Sequence, residues 1–559
     1  MKRDNSSALS NIAYPILILA ILVWLHASTR SGLWAQLPVV VPLFLTLNML
    51  LIVIGIIMNL GEFKSLAAGV PPGIRKGLLT VVIVGVLIAA FVAPRTHRLY
   101  YDEHIYENIG QGIAYTGLAA LADEASFEHG EYVMASWEYN KQPNAYPYLL
   151  SIIYKLFGVR DVYAFILNNV VFGLSIFTVF ALAYLLFRDS WAGLYSALIY
   201  ALIPQNLIWS NTASVEPSGS FFAAFSLLTL LLFIKTKKSK TLFLATAVAA
   251  YASQFRPESI FIFLPCALAL FLFKPDEFSE SRLRWSGALL LLLLAAHIGH
   301  MVVVRDQGWG STGEKFGLQY LFENIRVNGL YYLDNKRFPL LFTAFAICGL
   351  ISRENLKSRL LLAVWFLLFW GIFLFFYAGS YGYGCDIRFS LLSYAPLAIL
   401  SGAGLLSLLK RLTENPFRKI GIGVIVVAFI HFLPQVRAVT AEAWDSRADY
   451  KFAKLFMKEL PANSIILTHD PCMFLLHGKN AAQLSIAKEN RAHLDNDIFA
   501  SYKGGVYMHW GYWCVMPDPE QHAFGNYVLE NYKCTAVKSY SEHGYDYKLY
   551  KIERRRSDA

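Results

Sequence analysis

Long uninterrupted apolar runs separated by short polar turns fill the chain from near its amino terminus to about residue 434. They show neither the two-residue alternation of a half-buried strand nor the narrow stripe of a surface helix. Runs of roughly 17 to 25 such residues are long enough to cross a bilayer as helices. The pattern predicts spans at about 11–27, 38–60, 77–94, 162–187, 191–211, 217–234, 241–255, 257–273, 285–304, 338–352, 359–377, 389–409 and 418–434, about thirteen in all. The first run follows Met1-Lys2-Arg3 as a signal peptide would, but no small-x-small cleavage pattern follows it and another run soon begins. It reads as a retained span.

After residue 434 the pattern changes. A helical periodicity over Ala448 to Leu460 ends before Pro461, SIILTHDP reads as a buried strand, and GGVYMHWGYWCV and YKLYKI read as further strands. The expected fold class is an all-α polytopic membrane protein with a small C-terminal soluble α/β domain. Its expected divisions are two additional spans in 1–76, a membrane domain over 77–434 with a large outer loop at 95–161, and the soluble domain at 435–559.

Composition agrees with this reading. Of the 559 residues 56% are hydrophobic and 16% charged, which excludes an ordinary soluble globule. A net charge of +10 would suggest nucleic acid in a soluble protein, yet here the basic residues cluster in short loops between spans. Lys64, Arg75 and Lys76, then Lys235, Lys237, Lys238 and Lys240, then Arg353, Lys357 and Arg359, then Lys410, Arg411, Arg418 and Lys419 form four such clusters. With thirteen spans and a cytoplasmic amino terminus all four lie on the cytoplasmic side, as positive-inside topology requires. The loops 94–161, 305–337 and 379–388 and the C-terminal domain then lie on the opposite face. The six cysteines have no metal-ligand spacing, and neither a zinc site nor a nucleic-acid partner is expected.

Charge beside a span costs about 2.5 to 3.5 kcal/mol at mid-membrane and calls for a reason. In the threaded chain Asp102, Glu103, Lys141, Glu216, Arg256, Glu258, Asp386 and Arg388 all fall at or just beyond the non-cytoplasmic ends of spans, and are expected to share one cavity there. Each also has a plain structural reading. Asp102 precedes HIYENIGQGI, where Ile105, Ile109 and Ile113 share a helix face, so it can serve as an amino-terminal cap. Glu103 diverges from it once the helix begins and is read as supporting. Lys141 and Lys155 can rest their ammonium groups among lipid headgroups. Arg256 can pair with Glu258, and Asp386 with Arg388, as exposed pairs of little energetic value. His297 and His300, three residues apart in AAHIGHMVVV, are expected to hydrogen-bond between helices.

The order of these motifs carries a resemblance. DE opening the first large loop, KQPNAYPY followed by an aromatic-rich helix ending in KLFG, Glu216 after a paired span, RPE at 256–258, and RF opening a late span resemble the GT-C superfamily of membrane glycosyltransferases. The similar branch contains protein O-mannosyltransferases, the lipid A aminoarabinose transferase and lipopolysaccharide-core transferases. The resemblance covers roughly Leu78 to Pro434; the two spans before Leu78 depart from it, and KQPNAYPY is looser than the Lys-Pro-Pro form. It implies a polyprenyl-phosphate sugar donor, an acceptor hydroxyl on a glycan, lipid or protein, and a site at the outer face of a bacterial inner membrane. Asp102 would be the catalytic base with Glu103 beside it, Lys141 would face the lipid phosphate, Arg256 and Arg388 would contact phosphate or sugar, and Glu216, Glu258 and Asp386 would complete the pocket. No cofactor is required by this chemistry; a divalent metal on Asp102 and Glu103 ranks second. An oligosaccharide ligase or polymerase with a diphosphate-linked donor is the rival enzyme. A lipid-glycan flippase is the rival without catalysis, disfavoured by the clean middles of most spans.

Overall fold

Helices that are apolar on every side have nowhere to sit in water, and the structure is built mostly from them. The computed structural model describes residues 5–28, 30–99, 101–128, 130–305, 307, 314–352, 354–382, 384–412, 418–441, 444–515 and 519–555. The chain forms two units, one comprising 1–95, 141–146 and 165–442, the other 96–140, 147–164 and 443–559. In chain order, the elements up to residue 252 are α1 (Asn5–Ala27), α2 (Arg30–Ala68), α3 (Pro72–Phe91), α4 (Asp102–Thr116), β1 (Leu121–Glu128), β2 (Glu131–Glu138), α5 (Ala145–Phe157), α6 (Val162–Phe187), α7 (Ser190–Leu202), α8 (Pro204–Trp209), α9 (Glu216–Thr236) and α10 (Ser239–Ala252). They continue with α11 (Phe263–Phe273), α12 (Ser281–Val304), α13 (Leu321–Tyr331), α14 (Leu340–Ile351), α15 (Leu356–Ile372), α16 (Leu391–Leu412), α17 (Arg418–Ala441), α18 (Trp444–Phe456), β3 (Ser464–Thr468), α19 (Cys472–Leu475), β4 (Asn480–Gln483), β5 (Gly505–Trp510), β6 (Tyr532–Glu542) and β7 (Tyr545–Arg554).

In the first unit each expected span falls on helix, but the count of thirteen crossings is not carried over. Among the described residues seven helices are long and apolar enough to cross a membrane by length and composition: Arg30–Ala68, Pro72–Phe91, Val162–Phe187, Glu216–Thr236, Ser281–Val304, Leu356–Phe375 and Asp386–Lys410. Five more apolar helices are shorter. Proline explains two of the short ones. The expected span 191–211 is broken before Pro204, and 257–273 opens as a 3₁₀ turn at Pro257 before α11 begins.

This unit leaves Leu47, Ile57, Leu87, Leu174 and Val427 on its surface, as a lipid-facing body does. Its helices meet through small residues and satisfied polar groups. Asn59 on α2 donates to the Lys240 carbonyl at 3.0 Å and accepts from Thr241 at 2.7 Å, joining α2 to the start of α10. Helices α14 and α16 approach so closely that a Cβ on Gly404 would stand 1.9 Å from the Phe345 carbonyl oxygen, and one on Gly349 2.1 Å from that of Leu400.

In the second unit a seven-stranded sheet has the order β2-β1-β4-β3-β5-β7-β6. Its middle strands β4, β3 and β5 are parallel, and β2-β1 and β7-β6 are antiparallel pairs on either side. All five residues of β3 are buried, the continuous apolar run expected of a strand covered on both faces. Alternation sorts its side chains. Ile466 joins Phe452, Phe456 and Tyr507 on the face covered by α18, while Ile465 and Leu467 join Val506 and Met508 on the other. The three strand readings of the C-terminal segment therefore correspond to β3, β5 and β7. The sheet also takes β1 and β2 from the loop after residue 95, with β1 pairing β4 antiparallel.

Substituting Gly404→Ala should force α14 and α16 apart and lower stability by about 1 to 3 kcal/mol, as overpacking does. Gly423→Ala, inside α17 where an added Cβ meets nothing within 4 Å, should leave the thermal midpoint of the detergent-solubilised protein no lower and raise it slightly, since alanine is the better helix former.

Candidate functional site

Helix α4 in the second unit is buried along eleven consecutive residues, from Glu103 to Ile113. Its isoleucines were expected to be covered; its polar residues each required a partner. Glu103 is 0% exposed, and its Oε1 accepts the backbone N–H groups of Arg98 (3.1 Å) and Leu99 (3.2 Å). His104 Nδ1 lies 2.7 Å from Asp470 Oδ2, just past the end of β3, and Glu107 Oε2 lies 2.9 Å from His97 Nε2. Asn108 accepts from the Ala122 backbone at 2.9 Å, and Gln111 donates to the Leu475 carbonyl at 3.1 Å. Burial pushes the Glu107 carboxyl well above its ordinary range and the His97 imidazole well below. Both shifts favour the uncharged forms of the pair.

Asp102 stands at the first position of α4 and is half-buried. The capping reading does not hold, because the cap position is Tyr101 and no side-chain cap hydrogen bond forms. Tyr101 has φ 75° and ψ −51°, close to the three-residue γ-turn geometry that residues other than glycine adopt only at a cost of roughly 1 to 3 kcal/mol. Gln483 donates to its hydroxyl at 3.3 Å. A strained, pinned turn thus sets the position of Asp102 at the positive end of the helix dipole.

The first unit holds a second constellation. Glu216 opens α9, Arg256 and Glu258 lie in the turn after α10, and Arg388 lies in the 3₁₀ turn before α16. The Arg256 guanidinium pairs with Glu216 and Glu258, and Arg388 Nε lies 3.2 Å from the same Glu216 Oε1. Both guanidinium carbons stand about 5 Å from the centre of the Phe389 ring, 5.0 Å for Arg256 and 4.9 Å for Arg388. Phe389 in turn stacks on Phe373 at 4.4 Å. Glu216 Oε2 is buried without a hydrogen-bond partner among the described residues. Arg256 and Glu258, which looked like a local pair in sequence, belong with Glu216 and Arg388 to one cluster. Asp386 lies two residues before Arg388 on the same turn.

The segment Lys141–Tyr146 is tied into this unit beside the arginine turn. Ala145 N–H donates to the Gln254 carbonyl at 3.3 Å, the Tyr251 hydroxyl donates to the Ala145 carbonyl at 2.8 Å, and Asn168 donates to the Tyr146 hydroxyl at 3.2 Å. His300 hydrogen-bonds the backbone of Lys141, which ties α12 to this segment. A cavity of about 550 Å³ adjoins the cluster, with Arg256, Glu258 and Lys315 as its charged lining and Phe261, Phe316, Phe373, Phe375 and Phe376 among its apolar walls.

For a metal, the donor set fits poorly. Glu103 is already committed to two backbone N–H groups, and no cluster of three or more His, Cys, Asp or Glu side chains suited to an ion occurs among the described residues. Cys472, Cys514 and Cys534 are free thiols, and burial pushes Cys514 up to about 12.

The family model described as dolichyl-phosphate-mannose-protein mannosyltransferase matches residues 141–300, the stretch that holds Lys141, Glu216, Arg256 and Glu258. Among curated protein sequences none matches the chain. ArnT from Cupriavidus metallidurans, solved bound to undecaprenyl phosphate, superposes with a TM-score of 0.52 at 12% identity, over 85% of this chain and 97% of that one. The archaeal oligosaccharyltransferase AglB from Archaeoglobus fulgidus, solved with an inhibitory peptide and a dolichol-phosphate, superposes with a TM-score of 0.51 at 15% identity, over 86% and 74%. This chain has the GT-C glycosyltransferase fold.

Within that GT-C fold the sequence missed His97, His104, Glu107 and Asp470. Nothing in RTHRLYYDEHIYENIG distinguishes a buried polar helix face from a solvated one. The only signal was Asp470, two residues past a strand with no exposed side, where a carboxylate must find a partner or leave the core.

The upward shift of the Glu107 carboxyl has a measurable consequence. Its carboxyl ionises near 4.5 in the unfolded chain but resists ionisation when folded, so its contribution to stability is greatest below that pH and falls as pH rises. Glu107→Gln cannot titrate. Thermal denaturation between pH 4.5 and neutrality should show the variant gaining on the wild type as pH increases.

Proposed function

We propose that this protein transfers a sugar from a polyprenyl-phosphate donor to an acceptor hydroxyl on a glycan, lipid or protein. The observation that carries this reading is the juxtaposition in the first unit of an arginine cluster and an aromatic-walled cavity. A polyprenyl phosphate joins an anion to a hydrocarbon tail. Arg256 at the edge of a phenylalanine-lined cavity offers a guanidinium to the anion and apolar surface to the tail.

The chemistry follows from the leaving group. A lipid phosphate departs without a general acid, so the groups needed are a base for the acceptor and fixed positive charge for the phosphate. Asp102 takes the acceptor proton while the acceptor oxygen bonds to the anomeric carbon, and the bond from that carbon to the phosphate oxygen breaks. Arg256, Arg388 and Lys141 stabilise the charge gathering on the phosphate. Glu216 and Glu258 hold the guanidinium groups in place, and Asp386 borders the same turn. One displacement inverts the anomeric configuration. The basic clusters between spans support an assignment of this site to the extracytoplasmic face of a bacterial inner membrane, with a cytoplasmic amino terminus.

Asp102→Asn should reduce transfer by about 10² to 10⁴-fold, the range of general-base catalysis, while polyprenyl-phosphate binding persists. Undiminished transfer would remove Asp102 from the mechanism. Transfer in excess EDTA should match that in buffer with magnesium, since the reaction as proposed uses no metal; loss on chelation and recovery with magnesium or manganese would overturn that part.

A further inference from the structure

The second unit contains a cavity of about 490 Å³, a size suited to a small ligand, that the reaction as described does not use. Its lining includes Gln111 and Tyr115 on α4, Phe127 on β1, Arg160 and Asp161 before α6, and His477 after α19. Tyr115 is 51% exposed, unusual for an aromatic ring with no covering element.

The polar groups of this cavity are ordered by one phenol. The Tyr450 hydroxyl on α18 donates to Asp161 Oδ2 at 2.6 Å and lies 2.7 Å from His477 Nε2. Since the phenol proton goes to the carboxylate, the imidazole supplies its own Nε2–H to the phenol oxygen, which leaves Nδ1 of a neutral His477 as an acceptor. Burial lowers the His477 pKa, which keeps it in that form. Lys454 also approaches Asp161 through Oδ2, at 3.4 Å. Oδ1 therefore has no protein partner among the described residues. Arg160 is exposed and makes no ion pair among them. A carboxylate oxygen and an imidazole nitrogen as acceptors, guanidinium N–H groups as donors and a flat apolar ring together match the hydroxyls and the C–H face of a sugar. A lipid phosphate would meet the Asp161 carboxylate, which disfavours it.

We propose that this cavity binds a saccharide unit of an extended acceptor, remote from the hydroxyl that reacts. The proposal rests on Asp102 being the base. Gln111 and Tyr115 are nine and thirteen residues beyond it on one helix, about 14 and 20 Å along the axis. An acceptor of several linked sugars can span that distance; a single sugar cannot occupy both places. The cavity would thus select for acceptor length.

The test uses the full chain in detergent and a library of neutral gluco-, galacto- and manno-oligosaccharides of one to six units, with binding read by saturation-transfer NMR. Members of the library should bind the wild type and Asp102→Asn equally. Arg160→Ala and Tyr115→Ala, both at exposed positions, should weaken that binding at least about tenfold. Asp102→Asn separates the two readings, because saccharide binding that survives in it while transfer fails supports both, and undiminished transfer counts against the base alone. No binding by any oligosaccharide, equal binding by the Arg160 and Tyr115 variants, or competition by short-chain phosphatidylglycerol at the same site would overturn the proposal.

Discussion

A helix buried on every side cannot leave a polar side chain unanswered, and α4 carries five of them between Glu103 and Gln111. That requirement organises the second unit. Each group is met by a different part of the chain: Glu103 by the turn at 98–99, His104 by Asp470, Glu107 by His97 and Tyr154, Asn108 by β1, Gln111 by the end of α19. Breaking any one of these leaves a desolvated group without compensation, typically a loss of about 1 to 3 kcal/mol. The helix that begins with Asp102 is therefore held rigidly by the same sheet that closes the C-terminal fold.

The first unit answers a related problem with charge. Two arginines and two glutamates sit together against Phe389, and each guanidinium is opposed by a carboxylate that it shares or doubles. A buried pair of this kind contributes little net stability, yet removing one member is costly because the other is left desolvated. Such a cluster fixes the relative positions of Glu216, Arg256, Glu258 and Arg388 more than it adds stability. Glu216 shows the same economy, with one oxygen between two guanidinium groups and the other unpartnered.

The pairings that define the candidate site were only partly legible. Arg256 and Glu258 are two residues apart, and their mutual contact could be anticipated from spacing. Glu216 with Arg388 could not, since 172 positions separate them and neither motif names the other. The local reading of Asp102 as a helix cap followed a sound rule and was displaced by Tyr101, whose strained turn leaves no signature in a single sequence. Likewise the span count rested on apolar composition. Composition marks which segments avoid water but not whether a proline-broken run such as 191–211 stays long enough to cross.

By itself the sequence determined the apolar helices, the membrane character, the C-terminal strands β3, β5 and β7 and the gathering of charges in particular loops, because all of these follow from which neighbouring residues tolerate water. Tertiary structure alone decided that β1 and β2 complete the C-terminal sheet, that Glu103 is a structural anchor while Asp102 stands at the helix start, and that Glu216 and Arg388 join the Arg256–Glu258 pair in one cluster. Those outcomes depend on which remote group satisfies a buried donor or acceptor. His104 and Asp470, 366 residues apart in the chain and in contact at 2.7 Å, are the plainest case.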